Sequence, residues 1–214
     1  RISSIGMGGL PGLGVKADDM IDMLLKKARL EVEKRNPDFN EEEIEEASRN
    51  IAVGALRYYM IKFTRKQVLA FDFDTALSFE GESGPYLMYA MVRANNIWNK
   101  LVEVDGIDEA AVDEMVDRID WSAIGEGTAA NELWELIGML ARMPEVAGDS
   151  VRAMELSIFA KYAYSVAQAF NGWYHKYQIL REENENWKML RIVVLQLFRG
   201  HYRRALELMG IETP

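Results

Sequence analysis

Apolar positions along the chain recur mostly at helical spacing. Met20, Ile21, Leu24, Leu25, Ala28 and Val32 share one stripe, which predicts an amphipathic helix capped by Asp18 or Asp19 and ended by Asn36-Pro37-Asp38. Ile44, Ala47, Ile51, Ala55 and Tyr58 form a second stripe. Asn40 with Glu43 three residues on reads as a capping box for that helix, over roughly 41–62. The run QVLAFDF at 67–73 is rich in β-formers and is the one credible strand, with Gly14-Val15 as a short edge to pair with. Asp74 then caps a turn. Gly84-Pro85 starts a long helix reaching about Leu101, with proline where no amide donor is needed.

Further helices are predicted at about 108–119 and 128–143, the second capped by Thr128, with the junction MPEVAGDS at 143–150 read as a turn. Two long helices, about 150–181 and 186–209, close the chain around a break at REENEN, and Gly210 follows the last periodic run as a stop signal. The predicted fold is mostly α: a small mixed α/β region over 1–80, then an α-helical bundle over 81–214.

Composition narrows the chemistry. The chain has 214 residues, no Cys and two His, which removes disulfides, thiolate ligands and a Cys nucleophile and nearly excludes a multi-histidine metal site. No apolar run approaches membrane-spanning length, and no N-terminal segment has the form of a signal peptide, so a cytoplasmic protein without a membrane partner is expected. The first residue is Arg1, which suggests a piece of something longer. The net charge of −9 argues against nucleic acid until its distribution is seen. Residues 105–149 carry twelve acidic and two basic residues, whereas residues 150–214 carry nine basic and six acidic. The acidity is one block, and the C-terminal third is mildly basic.

Sites for bond chemistry are sparse. His175 and His201 stand beside aromatic and basic residues, with no Ser-Asp frame to make either a catalytic base. Glu80 and Glu82 read as turn carboxylates rather than a glycosidase pair. The glycine-rich stretch GMGGLPGLGVK allows backbone amides to approach an anion, but it lacks the Gly-Lys-Ser/Thr of a P-loop. No catalytic residue and no metal ligand is assigned. More informative are FNGWYHKYQILR and FRGHYRR, which interleave Trp173, Tyr174, Tyr177 and Tyr202 with His175, Lys176, Arg181, Arg199, Arg203 and Arg204. Aromatic faces stack on bases and guanidinium groups meet phosphates. The same spacing also suits rings in a bundle core with cations outside.

One stretch carries a family signal. ALSFEGESGPYLMYAMVRANNI resembles the arginyl-tRNA synthetase pattern Leu-Ser-Phe-Glu-Gly-Asp/Glu-Thr-Gly-Pro-Tyr-Leu-Gln-Tyr-Ala-His-x-Arg. GLGVKADDMID, AVGALRYYMIKFTRKQVLAFDFD and the stretch from FAKYAYSVAQAFNGWYHKYQIL to the C-terminus are similar to the same family. The last resembles its helical anticodon-binding domain, named after an Asp-Ala-Leu-Arg motif; here the stretch reads Arg204-Ala205-Leu206-Glu207. The resemblance implies that residues 1–80 hold a signature-loop remnant and a stem-contact region, and that 81–214 form the anticodon-binding domain. It implies tRNA, specific for arginine, as the partner, held by the face of Tyr86, Tyr89 and Arg93 together with the aromatics near Tyr174; His175 and Arg181, from the same aromatic-basic run, complete the expected contact set. Tyr86, Tyr89 and Arg93 fall at i, i+3 and i+7 on one helix face.

The family's ATP-binding strands have no counterpart in this sequence. ATP and Mg are therefore expected to serve a parent enzyme that ligates arginine to tRNA, and no cofactor is expected in this chain. The remnant Met7-Gly8-Gly9-Leu10-Pro11-Gly12 has Leu10-Pro11 where the family's loop carries Arg-Lys, and Met88 and Met91 replace Gln and His. The chain alone is expected to be a catalytically inactive monomer, whose further partner is its own missing catalytic domain. The alternative is a non-catalytic synthetase-like paralogue acting as a protein-interaction or regulatory module.

Overall fold

The computed structural model describes residues 16–213. Nine α-helices run along them: α1 (Ala17–Arg35), α2 (Glu41–Ile61), α3 (Phe73–Ala76), α4 (Gly84–Asp105), α5 (Glu109–Arg118), α6 (Thr128–Ala141), α7 (Met143–Ala153), α8 (Leu156–Lys176) and α9 (Glu185–Leu208). The mostly α bundle expected from the pattern is what forms.

Helix α1 buries Met20, Leu24, Ala28 and Val32 against α2. Its N-cap is Lys16, so Asp18 and Asp19 do not cap it. They lie in the first turn, with Lys34 and Arg35 in the last, and both pairs suit the helix dipole. The capping box of α2 is complete: Asn40 accepts from the amides of Glu42 and Glu43, and the Glu43 carboxylate accepts from the Asn40 amide at 2.8 Å.

The expected strand at 67–73 does not form. Among the described residues no strand is present; Leu69 makes only an isolated bridge. The apolar run is spent on ring packing instead. Phe71 sits 4.6 Å from Tyr59 and 5.1 Å from Phe73, and the Tyr59 hydroxyl donates to the Ala70 carbonyl at 2.7 Å. Asp72, not Asp74, caps the turn that follows, accepting from the Thr75 amide at 2.6 Å. Asp74 pairs with Lys27.

Ser83 caps α4 by accepting from the Tyr86 amide, with Pro85 in the first turn and Gly106 as a left-handed stop. Helix α4 crosses α2 at a point where the two backbones nearly touch. A Cβ at Gly84 would lie 2.7 Å from the Gly54 carbonyl carbon and 2.8 Å from the Ala55 Cα. Only backbone faces that position, so any side chain at residue 84 would force the two helices apart, and glycine is what lets them meet.

Asp108 caps α5, and Gly127 rather than Thr128 precedes α6. MPEVAGDS is a helix, α7, not a turn. Pro144 sits in its first turn, where its missing N–H costs nothing, and the only atoms near a Cβ at Gly148 belong to the flexible Arg152 side chain. The break expected near 143–150 falls instead at Met154, which is left-handed at φ 50°. Helices α8 and α9 carry the inner core: the rings of Phe170 and Phe198 stack at 3.8 Å, and those of Phe198 and Tyr202 at 4.8 Å. Tyr202 is 1% exposed, and its hydroxyl is the one buried side-chain polar atom without a partner among the described residues.

Candidate nucleic-acid interface

Three of the six predicted contact residues stand on α4. Tyr86 is half-buried, its ring 5.5 Å from that of Tyr164 and its hydroxyl accepting from Asn171 Nδ2 at 3.4 Å. Tyr89, one turn on, is 49% exposed. Arg93 donates to Asn171 Oδ1 at 3.2 Å, and its guanidinium lies 5.3 Å from the centre of the Tyr174 ring. Asn171 therefore ties Tyr86 to Arg93 and sets the arginine against the tyrosine face.

The other half of the shelf comes from the end of α8. Tyr174 rests on Phe170 in a stacked arrangement at 6.3 Å and is partly exposed, so its ring belongs both to the core and to the surface. Burial pushes its hydroxyl above the usual tyrosine range, and the nearby Arg93 and Arg181 charges oppose that rise. Arg181 ends the short 3-10 turn Ile179–Arg181 and is exposed. Its neighbour Glu182 holds the turn down. Glu182 pairs at 2.6 Å with Arg191, which is 8% exposed and also lies 5.4 Å from the Tyr177 ring and 5.8 Å from that of Trp187. His175 is exposed and makes no side-chain hydrogen bond among the described residues.

Between the two halves lies a shallow recess of about 200 Å³, lined by Tyr89, Arg93, Asn96, Lys100, Tyr174 and Leu180 among others. Asn171, Asn96 and Lys100 were not singled out by sequence. Asn96 and Lys100 follow Arg93 at i+3 and i+7, and that spacing was the available signal. Asn171 offered none, because a lone helical asparagine is uninformative until its neighbour across the bundle is known. Tyr89 also borders a larger groove of about 680 Å³ between α1, α2 and α4, whose walls include Arg35, Phe39, Phe79 and Met88. Met88 and Met91 are buried in the core. The remnant Met7-Gly8-Gly9-Leu10-Pro11-Gly12 lies outside the described residues.

Residues 87–214 match the family described as the DALR anticodon binding domain. The chain belongs to that family. The match takes in Tyr89, Arg93, Tyr174, His175 and Arg181. Ala205 and Leu206, the two central residues of the motif stretch in this DALR domain, are buried. Arg204 and Glu207 flank them outside and pair at 3.1 Å, so the two ends carry opposite charges in the reverse order to the motif's name.

Whole relatives agree. The arginine–tRNA ligase of Pyrococcus furiosus is 33% identical over 206 residues, 94% of this chain and 31% of that protein. That of Lactococcus lactis subsp. lactis is 32% identical over 200 residues, 94% of this chain and 32% of the relative. The solved arginyl-tRNA synthetase of Thermus thermophilus superposes with a TM-score of 0.78 at 27% identity, over 97% of this chain and 33% of that one. The Plasmodium falciparum structure, with a TM-score of 0.75 at 20% identity, supports the fold. The chain thus spans about a third of the length of the relatives it matches.

Proposed function

We propose that this chain is the tRNA-holding part of an arginine–tRNA ligase and recognises the anticodon arm of an arginine tRNA. The observation that carries the reading is the shelf of Arg93, Tyr174, Arg181 and exposed Tyr89, assembled from α4, the end of α8 and the turn after it within the family-matching region. Ring faces at its rim suit unpaired loop bases, and the guanidinium groups suit the phosphates that join them. Tyr86 acts from behind, through Asn171. His175 stands beside Tyr174 at the edge of the same surface.

In this reading residues 1–80 contribute the contact to the tRNA stem and 81–214 the anticodon-binding domain. The parent enzyme works in the cytoplasm, and its catalytic domain supplies the ATP and Mg chemistry. No residue of this chain is assigned a bond-making role. The chain itself binds as a monomer and shows no arginine-dependent pyrophosphate exchange; exchange above background in the purified chain overturns that part.

The test of binding is a mobility-shift titration with arginine tRNA and with total tRNA at several salt concentrations. Binding that weakens steeply as salt rises supports the reading, since neutralised phosphates release counterions. No shift even at low salt removes it, and the interaction-module alternative then stands.

A further inference from the structure

The five tryptophans meet different fates. Trp98 and Trp173 are buried, and Trp98 carries Arg199 on its face at 4.6 Å. Trp187 has Arg191 at 5.8 Å. Trp121 and Trp134 are 49% and 46% exposed, their rings lie 6.2 Å apart and inclined at 30°, and neither faces a cation among the described residues. Gly138, one turn from Trp134 on α6, has nothing within 4 Å of where a side chain would stand, so the helix surface is open there too.

The charge around this pair is one-sided. It stands in the block of twelve acidic and two basic residues. Four of these carboxylates, Asp105, Glu132, Glu145 and Asp149, are in ion pairs with Lys188, Lys176, Arg142 and Arg152. Glu135 follows Trp134 on α6, Glu126 stands in the loop between the turn of Trp121 and α6, and Asp117 lies near the end of α5 beside the exposed Arg118; the three carboxylates are exposed and in no ion pair among the described residues. An indole face attracts a cation, and a desolvated guanidinium prefers it over an ammonium because it is planar and weakly hydrated.

We propose that the Trp121–Trp134 face is a docking site for an arginine-bearing segment of a partner protein. A guanidinium lies on or between the two indoles, and its neighbouring basic residues meet Glu126, Glu135 and Asp117. Charge complementarity selects this occupant. RNA bases also stack on indoles, but their phosphates would meet a stretch of twelve acidic and two basic residues.

The probe is a labelled octa-arginine peptide titrated against the full chain at low and moderate salt, followed by fluorescence anisotropy. The double variant Trp121→Leu/Trp134→Leu keeps every charge and is expected to bind about tenfold more weakly. Glu126→Gln/Glu135→Gln is expected to keep the aromatic contribution and flatten the salt dependence. Unchanged affinity in the leucine variant overturns the proposal, because charge alone then explains binding. If the leucine variant melts early, the glutamine variant decides, and no change in its salt dependence overturns the proposal equally. A wild-type dimer in sedimentation that the leucine variant abolishes makes the occupant a second copy and also overturns it. Peptide binding is read without RNA, so the tRNA reading stands or falls separately. Loss of tRNA binding in the leucine variant would reassign the face to RNA and overturn the proposal as well.

Discussion

The α4–α8 shelf and the Trp121–Trp134 face both present aromatic rings to solvent, but different partners supply the charge. On the shelf the protein places its own guanidinium groups at the rings: Arg93 at Tyr174, with Arg181 close by. A ring already served by a cation becomes part of a positive mount for bases and phosphates. On the other face the indoles belong to a predominantly acidic stretch of the chain and have no internal cation on their rings among the described residues. In the two proposals the same ring chemistry thus serves opposite ligands. The net charge of −9 conceals this, because it averages over stretches of opposite balance.

The largest expected effect comes from cutting the tether of the shelf. Glu182→Ala leaves Arg191 buried without its carboxylate and is expected to cost about 3 kcal/mol of stability in a denaturant titration. It also frees the turn that carries Arg181, so tRNA binding weakens while octa-arginine binding, after correction for folded fraction, does not. Equal losses on both faces would break the comparison. Tyr174→Ala comes next. Its ring is half core, resting on Phe170, so a loss of about 2 kcal/mol in stability is expected together with 1–3 kcal/mol in tRNA affinity. A lower melting temperature with unchanged binding would make Tyr174 core alone.

Tyr162 joins the two regions, since its hydroxyl on α8 donates to the Met139 carbonyl on α6 at 2.9 Å. Tyr162→Phe is expected to cost about 1 kcal/mol. Burial pushes this hydroxyl from 10.0 up to about 12. The folded value lies above the unfolded one, so its contribution is complete below pH 10.0 and is lost as pH rises toward about 12. Alkaline titration of the phenylalanine variant should therefore show a shallower fall in stability over that window; identical curves would remove Tyr162 as the link. The smallest effect is that of Arg181→Ala, which leaves stability unchanged and lowers the slope of log affinity against log salt by about 0.7, one single-strand phosphate. An unaltered slope would take Arg181 off the shelf.

Much of this was legible in the chain. The Asn40–Glu43 box, the Gly84-Pro85 start and the Gly210 stop are local devices whose geometry depends on a few neighbouring residues, and they stand where the sequence places them. The spacing of Tyr89 and Arg93 likewise survives folding. What failed was non-local. QVLAFDF has strand composition, but Tyr59 on α2 recruits Phe71 and the Ala70 carbonyl. MPEVAGDS has turn composition, yet its proline falls in a first turn and its glycine lies beside a side chain that can move. Asn171 had no signal at all, and the exposed tryptophan pair needed the positions of Arg199 and Arg191 before its lack of a cation meant anything.

The contact between Gly84 and Gly54 sets a mechanical tolerance. Helix α4 has 22 residues, a rod about 33 Å long, with its foot pressed against the backbone of α2. A rod wedged at the foot swings most at its tip. The shelf residues Tyr89 and Arg93 sit in the near half, whereas the tip ends at Gly106 and hands the chain to the acidic helices. One methyl at residue 84 would therefore be felt as a small tilt at the shelf and a larger swing where the acidic helices begin. Alignment between the two faces is held at a joint that belongs to neither.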